Sequence, residues 1–183
     1  AAVKLHENVK NKLNQIEKIV IRTQEPAIRI ISKEGKLSNA ADRDHCIQYM
    51  TAVALIFGDL RAEFYEDEFH DQHPEIDSLR DKMEIIKDER FSKEYLEPSK
   101  RSIANAIKIY FNDGSYSDDV EVEYPIGHRR RREEGIPLLE KKFLRNLNTC
   151  FDEEKSKEIY DLCLNQDKLE KTTVQDFMSM FVK

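Results

Sequence analysis

The sequence predicts an α+β fold: a small, mostly antiparallel sheet with helices on one side, followed by a purely helical tail. Three observations predict it. Residues 103–124 alternate apolar and polar side chains on both flanks of an Asp-Gly turn. A well-capped apolar helical pattern runs from Ala40 to Phe57. After four consecutive arginines, Arg129 to Arg132, every remaining segment carries helical spacing.

The elements follow in order. Residues 2–14 set Val3, Leu5, Val9 and Leu13 at near-helical intervals. IEKIVIRT alternates Ile19, Ile21 and Thr23 against Val20 and Arg22 and reads as a strand. EPAIRIISKEG is a turn or short helix closed by Gly35. The helix over 40–57 has Ser38 or Asn39 as its cap, Asp42 and Asp44 in its first turn, and Gly58 as its stop. Two short acidic helices are expected around RAEFYEDEF and EIDSLRDK, then a short strand in MEIIKD. In the hairpin, Ile103, Ile107, Ile109 and Phe111 share one side; beyond the loop NDGSYS, Val120, Val122 and Tyr124 stand opposite Glu121 and Glu123. Such alternation implies one buried and one wet face.

The tail yields three helices. GIPLLEKKFLRNL places Pro137 near a first turn and Leu139, Phe143 and Leu147 on one stripe; DEEKSKEIYDLCLN and TTVQDFMSMFVK follow. These helices have little of their own to bury against. They are expected to pack on a partner or on another part of a longer chain.

Composition narrows the classes. The 183 residues, with 30 Lys+Arg, 36 Asp+Glu and a net charge of −6, suffice for one or two domains with a real core. With 36% of residues charged, the chain reads as soluble, and no apolar run approaches the roughly 18–20 residues that span a bilayer. Five glycines and five prolines argue against long linkers. Cys46, Cys150 and Cys163 lack metal-ligand spacing and read as buried free thiols of a reducing, cytoplasmic setting. AAVKLHENVKNKL has no apolar h-region or cleavage site, so it is not a signal peptide. It opens without a methionine, in a pattern that reads as mid-helix, and the natural chain is expected to start upstream.

The arginine run admits several destinations. In an extended segment Arg129 and Arg131 point to one side, and Arg130 and Arg132 to the other. Nucleic acid would require a basic face with interleaved aromatics; the flanks EVEVEY and EEG and the acidic net charge argue against it. Solvated pairing with neighbours such as Glu133 and Glu134 is the plain reading. The sharper one is that one or two arginines meet a carboxylate across a cleft or subunit interface, with His128 beside them.

The second candidate lies in the 40–57 helix. Asp42, His45 and Tyr49 fall at i, i+3 and i+7, on one face that begins at a helix N-terminus favourable to anions. Arg43 adds a cation, and His45 and Tyr49 could act as acid, base or hydroxyl donor. The plain alternative is a satisfied, half-buried His45 and a core Tyr49 with a hydrogen-bonded hydroxyl. His70 and His73 read as part of a solvated acidic loop without a further metal ligand, and His6 as exposed on the first helix. There is no Gly-rich phosphate loop, nucleophile elbow or HExxH.

RTQEPAIRII, NAADRDHCIQYMTAVAL and VEVEYPIGHRRRREEGIPLLEKKF closely resemble the C-terminal part of the MmgE/PrpD family, over nearly the whole chain. That family includes enzymes that dehydrate 2-methylcitrate, decarboxylate cis-aconitate and epimerise iminodisuccinate; ADRDHCIQYM and EYPIGHRRRR favour the first. The resemblance implies a large helical domain and a smaller α+β lid with the active site between them. On that basis 1–15 is the end of a helix of the helical domain, 16–127 is the lid domain, and 128–183 is an arginine-rich connection with helices returning to the helical domain. The family's catalytic lysine and histidine, in a K-x-x-x-P-x-x-x-H segment, would lie just before Ala1.

The implied activity is a carbon–oxygen lyase of propionate catabolism, working as a homodimer without metal or other cofactor. It would remove water from 2-methylcitrate to give 2-methyl-cis-aconitate, and this chain by itself would be inactive. In the decarboxylase, the residues matching His45, Gln48 and Tyr49 share one helix and the tyrosine lines the active site. Tyr49 and His45 are therefore the catalytic candidates, and Arg43, His128 and Arg129 the substrate-binding ones. Such a dehydration needs a base for a weakly acidic proton beside a carboxylate, cations around the growing charge, and an acid for the leaving hydroxide. A tricarboxylate substrate calls for a cationic site, and the cysteines form no cluster motif. The alternatives are a related hydratase or decarboxylase of citrate or aconitate, and a non-catalytic anion-binding module.

Overall fold

The computed structural model describes residues 1–182 and divides into two compact units, Ala1–Pro125 and Ile126 onward. In the first, four strands form one sheet: β1 (Ile16–Thr23), β2 (Met83–Lys87), β3 (Asn105–Phe111) and β4 (Val120–Val122), in the order β2-β1-β3-β4. β1 pairs with β3 and β3 with β4 antiparallel, whereas β1 and β2 run parallel. A parallel pair needs a long crossover. It is supplied by α2 (Glu25–Ile31), α3 (Ala40–Asp44), α4 (Ile47–Phe57), α5 (Asp67–Gln72) and α6 (Glu75–Arg80).

Alternation on β1 and β3 makes the core. Ile16, Ile19 and Ile21 join Ile107, Ile109 and Phe111 beneath α4, α6 and α1 (Ala2–Val9). Leu5 and Val9 of α1 are buried, as expected, but Val3 is exposed. His6 is partly buried instead of solvated: its Nδ1 lies 2.9 Å from the Leu55 carbonyl oxygen of α4. On the opposite face, Phe91 is fully buried against Ala104 and Ala106. It comes from α7 (Glu89–Leu96), a helix that the periodicity did not disclose. The Arg22 guanidinium lies over the Phe91 ring and donates to Asp88 (2.5 Å) and Asp119 (2.7 Å). Burial works against the Asp88 carboxylate, but the Phe91 N–H and Arg22 outweigh it and hold its pKa below the usual range.

The expected 40–57 helix is two helices. His45 (φ −111°, ψ 34°) ends α3 and Cys46 is extended (φ −128°, ψ 109°) before α4 begins. Asn39 is the cap, its side chain accepting from the Asp42 N–H at 2.9 Å, while Asp42 in return accepts from the Ser38 N–H at 3.0 Å. That N–H and Lys33 lower the Asp42 pKa. Gly58 does stop α4, in the left-handed region (φ 72°).

The second unit contains α8 (Arg132–Asn148), α9 (Glu153–Leu164), α10 (Gln166–Leu169) and α11 (Val174–Ser179), one helix more than expected. Leu147 and Ile159 are buried and the Phe143 and Tyr160 rings lie 6.2 Å apart; Leu139, on the expected stripe, is half exposed. Pro137 lies inside α8 and not in its first turn. The arginines are not extended: Arg129–Arg131 form a 3-10 turn that runs directly into α8, so they do not split between two sides. Arg131 pairs with Glu134 through Nε–Oε1 (3.1 Å) and Nη2–Oε2 (2.7 Å). All three thiols are free, but only Cys46 is buried; Cys150 is exposed. No described helix is long and apolar enough to cross a membrane.

Gly58 carries a testable constraint. A Cβ there would lie 2.7 Å from His6 Cδ2, on a backbone that L-residues avoid. Gly58→Ala should destabilise by about 1–2 kcal/mol from conformation alone, with more from the clash. The loss in urea denaturation should shrink in a His6→Ala background. Equal losses in both backgrounds would show that the ring moves aside without cost.

Candidate functional site

The conformation of residues 42–49 determines what can act. The break at His45–Cys46 turns consecutive residues in opposite directions. Arg43 is 2% exposed, its Nε donating to the Tyr65 carbonyl at 2.6 Å and its Nη2 to the Asp67 carboxylate. His45 is 62% exposed, its Nδ1 2.5 Å from Asp44 Oδ1. Asp42, His45 and Tyr49 therefore do not form one continuous helical face.

Tyr49 is fully buried on α4 and its hydroxyl donates to the Phe64 carbonyl at 2.8 Å. Its ring stacks on Tyr65 at 6.2 Å and lies 5.7 Å from the ring of His70. Burial, the largest influence, pushes the Tyr49 hydroxyl up to about 12; burial and then Asp44 raise that of Tyr65. At neutral pH both phenols are donors, not bases.

Polar contacts continue from this pair. His70 is on α5, not in a solvated loop, and its Nε2 lies 3.1 Å from Asp77 Oδ2. Asp77 also accepts from Arg80, whose Nη2 donates to the Gly35 carbonyl at 3.0 Å. His73 turns away to Glu75 (2.8 Å), so the two histidines do not converge on a common ligand. Arg80, Lys33 and Gln48 then line a cleft of about 310 Å³ together with Glu34, Gly35, Asp81 and Met83. Gln48 is buried, accepting from the Lys33 N–H and donating to Ser32 Oγ, both at 3.2 Å.

Of the five residues named from the sequence, Arg43 and Tyr49 come together around the 64–67 segment, and His45 stands apart from them. His128 and Arg129 lie in the second unit. There His128 precedes the 3-10 turn and its Nδ1 accepts from the Arg130 N–H at 3.2 Å, while Arg129 is exposed. Sequence reasoning passed over Lys33, Tyr65, Asp67, Asp77 and Arg80. The available signal was Arg80 itself, a lone arginine inside the acidic stretch EIDSLRD.

Comparison with known proteins places the chain in a family. The model of the MmgE/PrpD C-terminal domain matches residues 1–166. The chain is 48% identical to the mitochondrial 2-methylcitrate dehydratase of Yarrowia lipolytica, across all of this chain and 35% of that protein. It is 49% identical to the 2-methylcitrate dehydratase of Salmonella typhimurium, over 91% of this chain and 34% of that one. An alkylcitrate dehydratase phiI from a fungal species is 40% identical over 93% of this chain and 33% of its own length. The chain thus spans about a third of the length of the curated relatives it matches. A match extending from Ala1 through the hairpin, the arginine run and α9 means that the chain belongs to the MmgE/PrpD family, to its C-terminal domain.

Proposed function

We propose that this chain is the C-terminal part of a lyase that removes water from 2-methylcitrate to give 2-methyl-cis-aconitate in propionate catabolism, without metal or other cofactor. The observation that carries this reading is identity near one half, sustained along the chain, to several proteins named 2-methylcitrate dehydratase. The relative named alkylcitrate dehydratase favours, as second reading, the same dehydration on a longer alkyl substituent.

In the proposed whole protein, 1–15 closes a helix of a helical domain, 16–127 is the lid domain, and 128–183 returns to the helical domain. Half-exposed Ile136, Leu138 and Leu139 on α8 support that return, because they offer apolar surface to a further layer. The reading also includes a homodimer and a cytoplasmic setting, the latter supported by the three free thiols.

The residue roles divide by environment. Tyr49, protonated up to about pH 12, would serve as a hydroxyl donor to the leaving group or to a substrate oxygen, exchanging its bond to Phe64 for one to substrate. Arg43 would act chiefly by holding Tyr65 and Asp67 in place beneath that hydroxyl. His45, in the open beside Asp44, is the candidate proton carrier of the segment. His128 and Arg129 would receive substrate carboxylates.

Two outcomes are expected. The intact protein should convert 2-methylcitrate, followed by absorbance of the unsaturated product, and the 183-residue chain alone should show no turnover; turnover by the chain alone would mean that the active site was misplaced. Tyr49→Phe should cost about 1 kcal/mol of stability through the Phe64 bond and should lower turnover well below the melting temperature. Because the folded hydroxyl titrates above its usual value of 10.0, its contribution is complete below that pH and is lost as pH rises toward about 12. Wild type and Tyr49→Phe should therefore converge in stability over that interval. Full turnover in the variant with this stability loss would leave Tyr49 a core residue.

A further inference from the structure

We propose that the cleft lined by Lys33, Gln48 and Arg80 binds a small monocarboxylate whose far end is neutral or cationic. The inference does not rest on the dehydration reading, since it concerns binding alone. The cleft is lined by the cations Lys33 and Arg80, of which Arg80 is buried. Arg80 has a side chain only 6% exposed; its Nη1 serves Asp77 and its Nη2 the Gly35 carbonyl, but its buried Nε has no hydrogen-bond partner among the described residues. Buried donors of this kind are rare in folded proteins and point to a missing acceptor.

Lys33 is held only loosely. Its Nζ makes two contacts, to the backbone oxygen and Oδ1 of Asp42, each at 3.4 Å and so longer than an ordinary N–H···O bond. Gln48 cannot supply the acceptor, because its carboxamide is committed to the Lys33 N–H and Ser32 Oγ. A carboxylate fits the deficit: one oxygen takes the ammonium of Lys33, and the other supplies the acceptor that Arg80 Nε lacks.

The other lining groups set the selectivity. Glu34 and Asp81 are exposed and carry negative charge beside the opening, where a second or third carboxylate would meet like charge. A neutral or ammonium end meets no such opposition, and Met83 provides an apolar wall. The volume of about 310 Å³ accommodates a ligand of a few heavy atoms with its water. The same charges disfavour a tricarboxylate.

The test uses fluoroacetate as probe and the intact protein that contains this chain. Titration should give saturable broadening of the 19F line, reversed by excess acetate. Lys33→Gln, at a half-exposed position, should raise the Kd about tenfold through loss of one charge-assisted bond, with the melting temperature unchanged. Citrate should compete no better than acetate. Arg80→Gln is expected to melt earlier, because Asp77 and the Gly35 carbonyl lose their donor, so Lys33→Gln is the deciding variant. Broadening that does not saturate, an unchanged Kd in Lys33→Gln, or stronger competition by citrate would each overturn the proposal. Turnover is not the readout, so such a failure leaves the dehydration reading untouched.

Discussion

The first unit depends on β1 being satisfied on both edges. Its backbone pairs with β2 on one side and β3 on the other, while Ile16, Ile19 and Ile21 fill the space below the helices. A one-residue slip would carry these three to the other face and bring Lys18 and Arg22 into the core. α1 and α4 pack over β1's apolar side, and Arg22 on the other side gathers Asp88 and Asp119, fixing the start of α7 and the approach to β4. Sheet register, the helical layer and the polar anchors of the second face thus share one strand.

A second constraint is the buried guanidinium of Arg43. A charge taken out of water demands acceptors, and it finds them in the Tyr65 carbonyl and Asp67. The 62–67 segment is thereby held against α4, with the Phe64 carbonyl placed at the Tyr49 hydroxyl. One arginine therefore positions the residue next in line for chemistry without itself being accessible. The chemical character of the HisCysIleGlnTyr stretch follows from this division: His45 outward, Cys46, Gln48 and Tyr49 inward.

Legibility in the sequence tracked the range of the interactions. β1 and the hairpin were readable because apolar–polar alternation is a local signal, and β2 because a short apolar pair, Ile85–Ile86, stands between polar neighbours. The break at His45–Cys46 was not, because no glycine or proline marks it and the residues that hold Arg43 just before it, Tyr65 and Asp67, lie about twenty residues away. α7 escaped notice because Phe91 is its one buried residue, although the Asp88 cap, which accepts from the Phe91 N–H at 3.1 Å, was a usable sign. Pro137 misled in the other direction. Glu133 and Glu134 offset the unfavourable arginines at the helix start and let α8 begin before the proline. Of the candidate site, Tyr49 and Arg43 were visible as residue types, but their inward commitment arises from contacts that no local pattern encodes.

The central place of β1 has a further consequence for how the chain acquires its shape. Ile21 pairs with Ile85 and with Ile107, so neither neighbouring strand exists when β1 leaves the ribosome. Closing those long loops is slow relative to forming α4 or the β3–β4 hairpin. In the interval β1 presents two open edges and an apolar side, the features that promote intermolecular pairing. Lys18 and Arg22, charged and on its wet face, interrupt the apolar run in the way that gatekeeper residues do. Synthesis, more than equilibrium stability, is the stage at which this part of the protein is most exposed to aggregation.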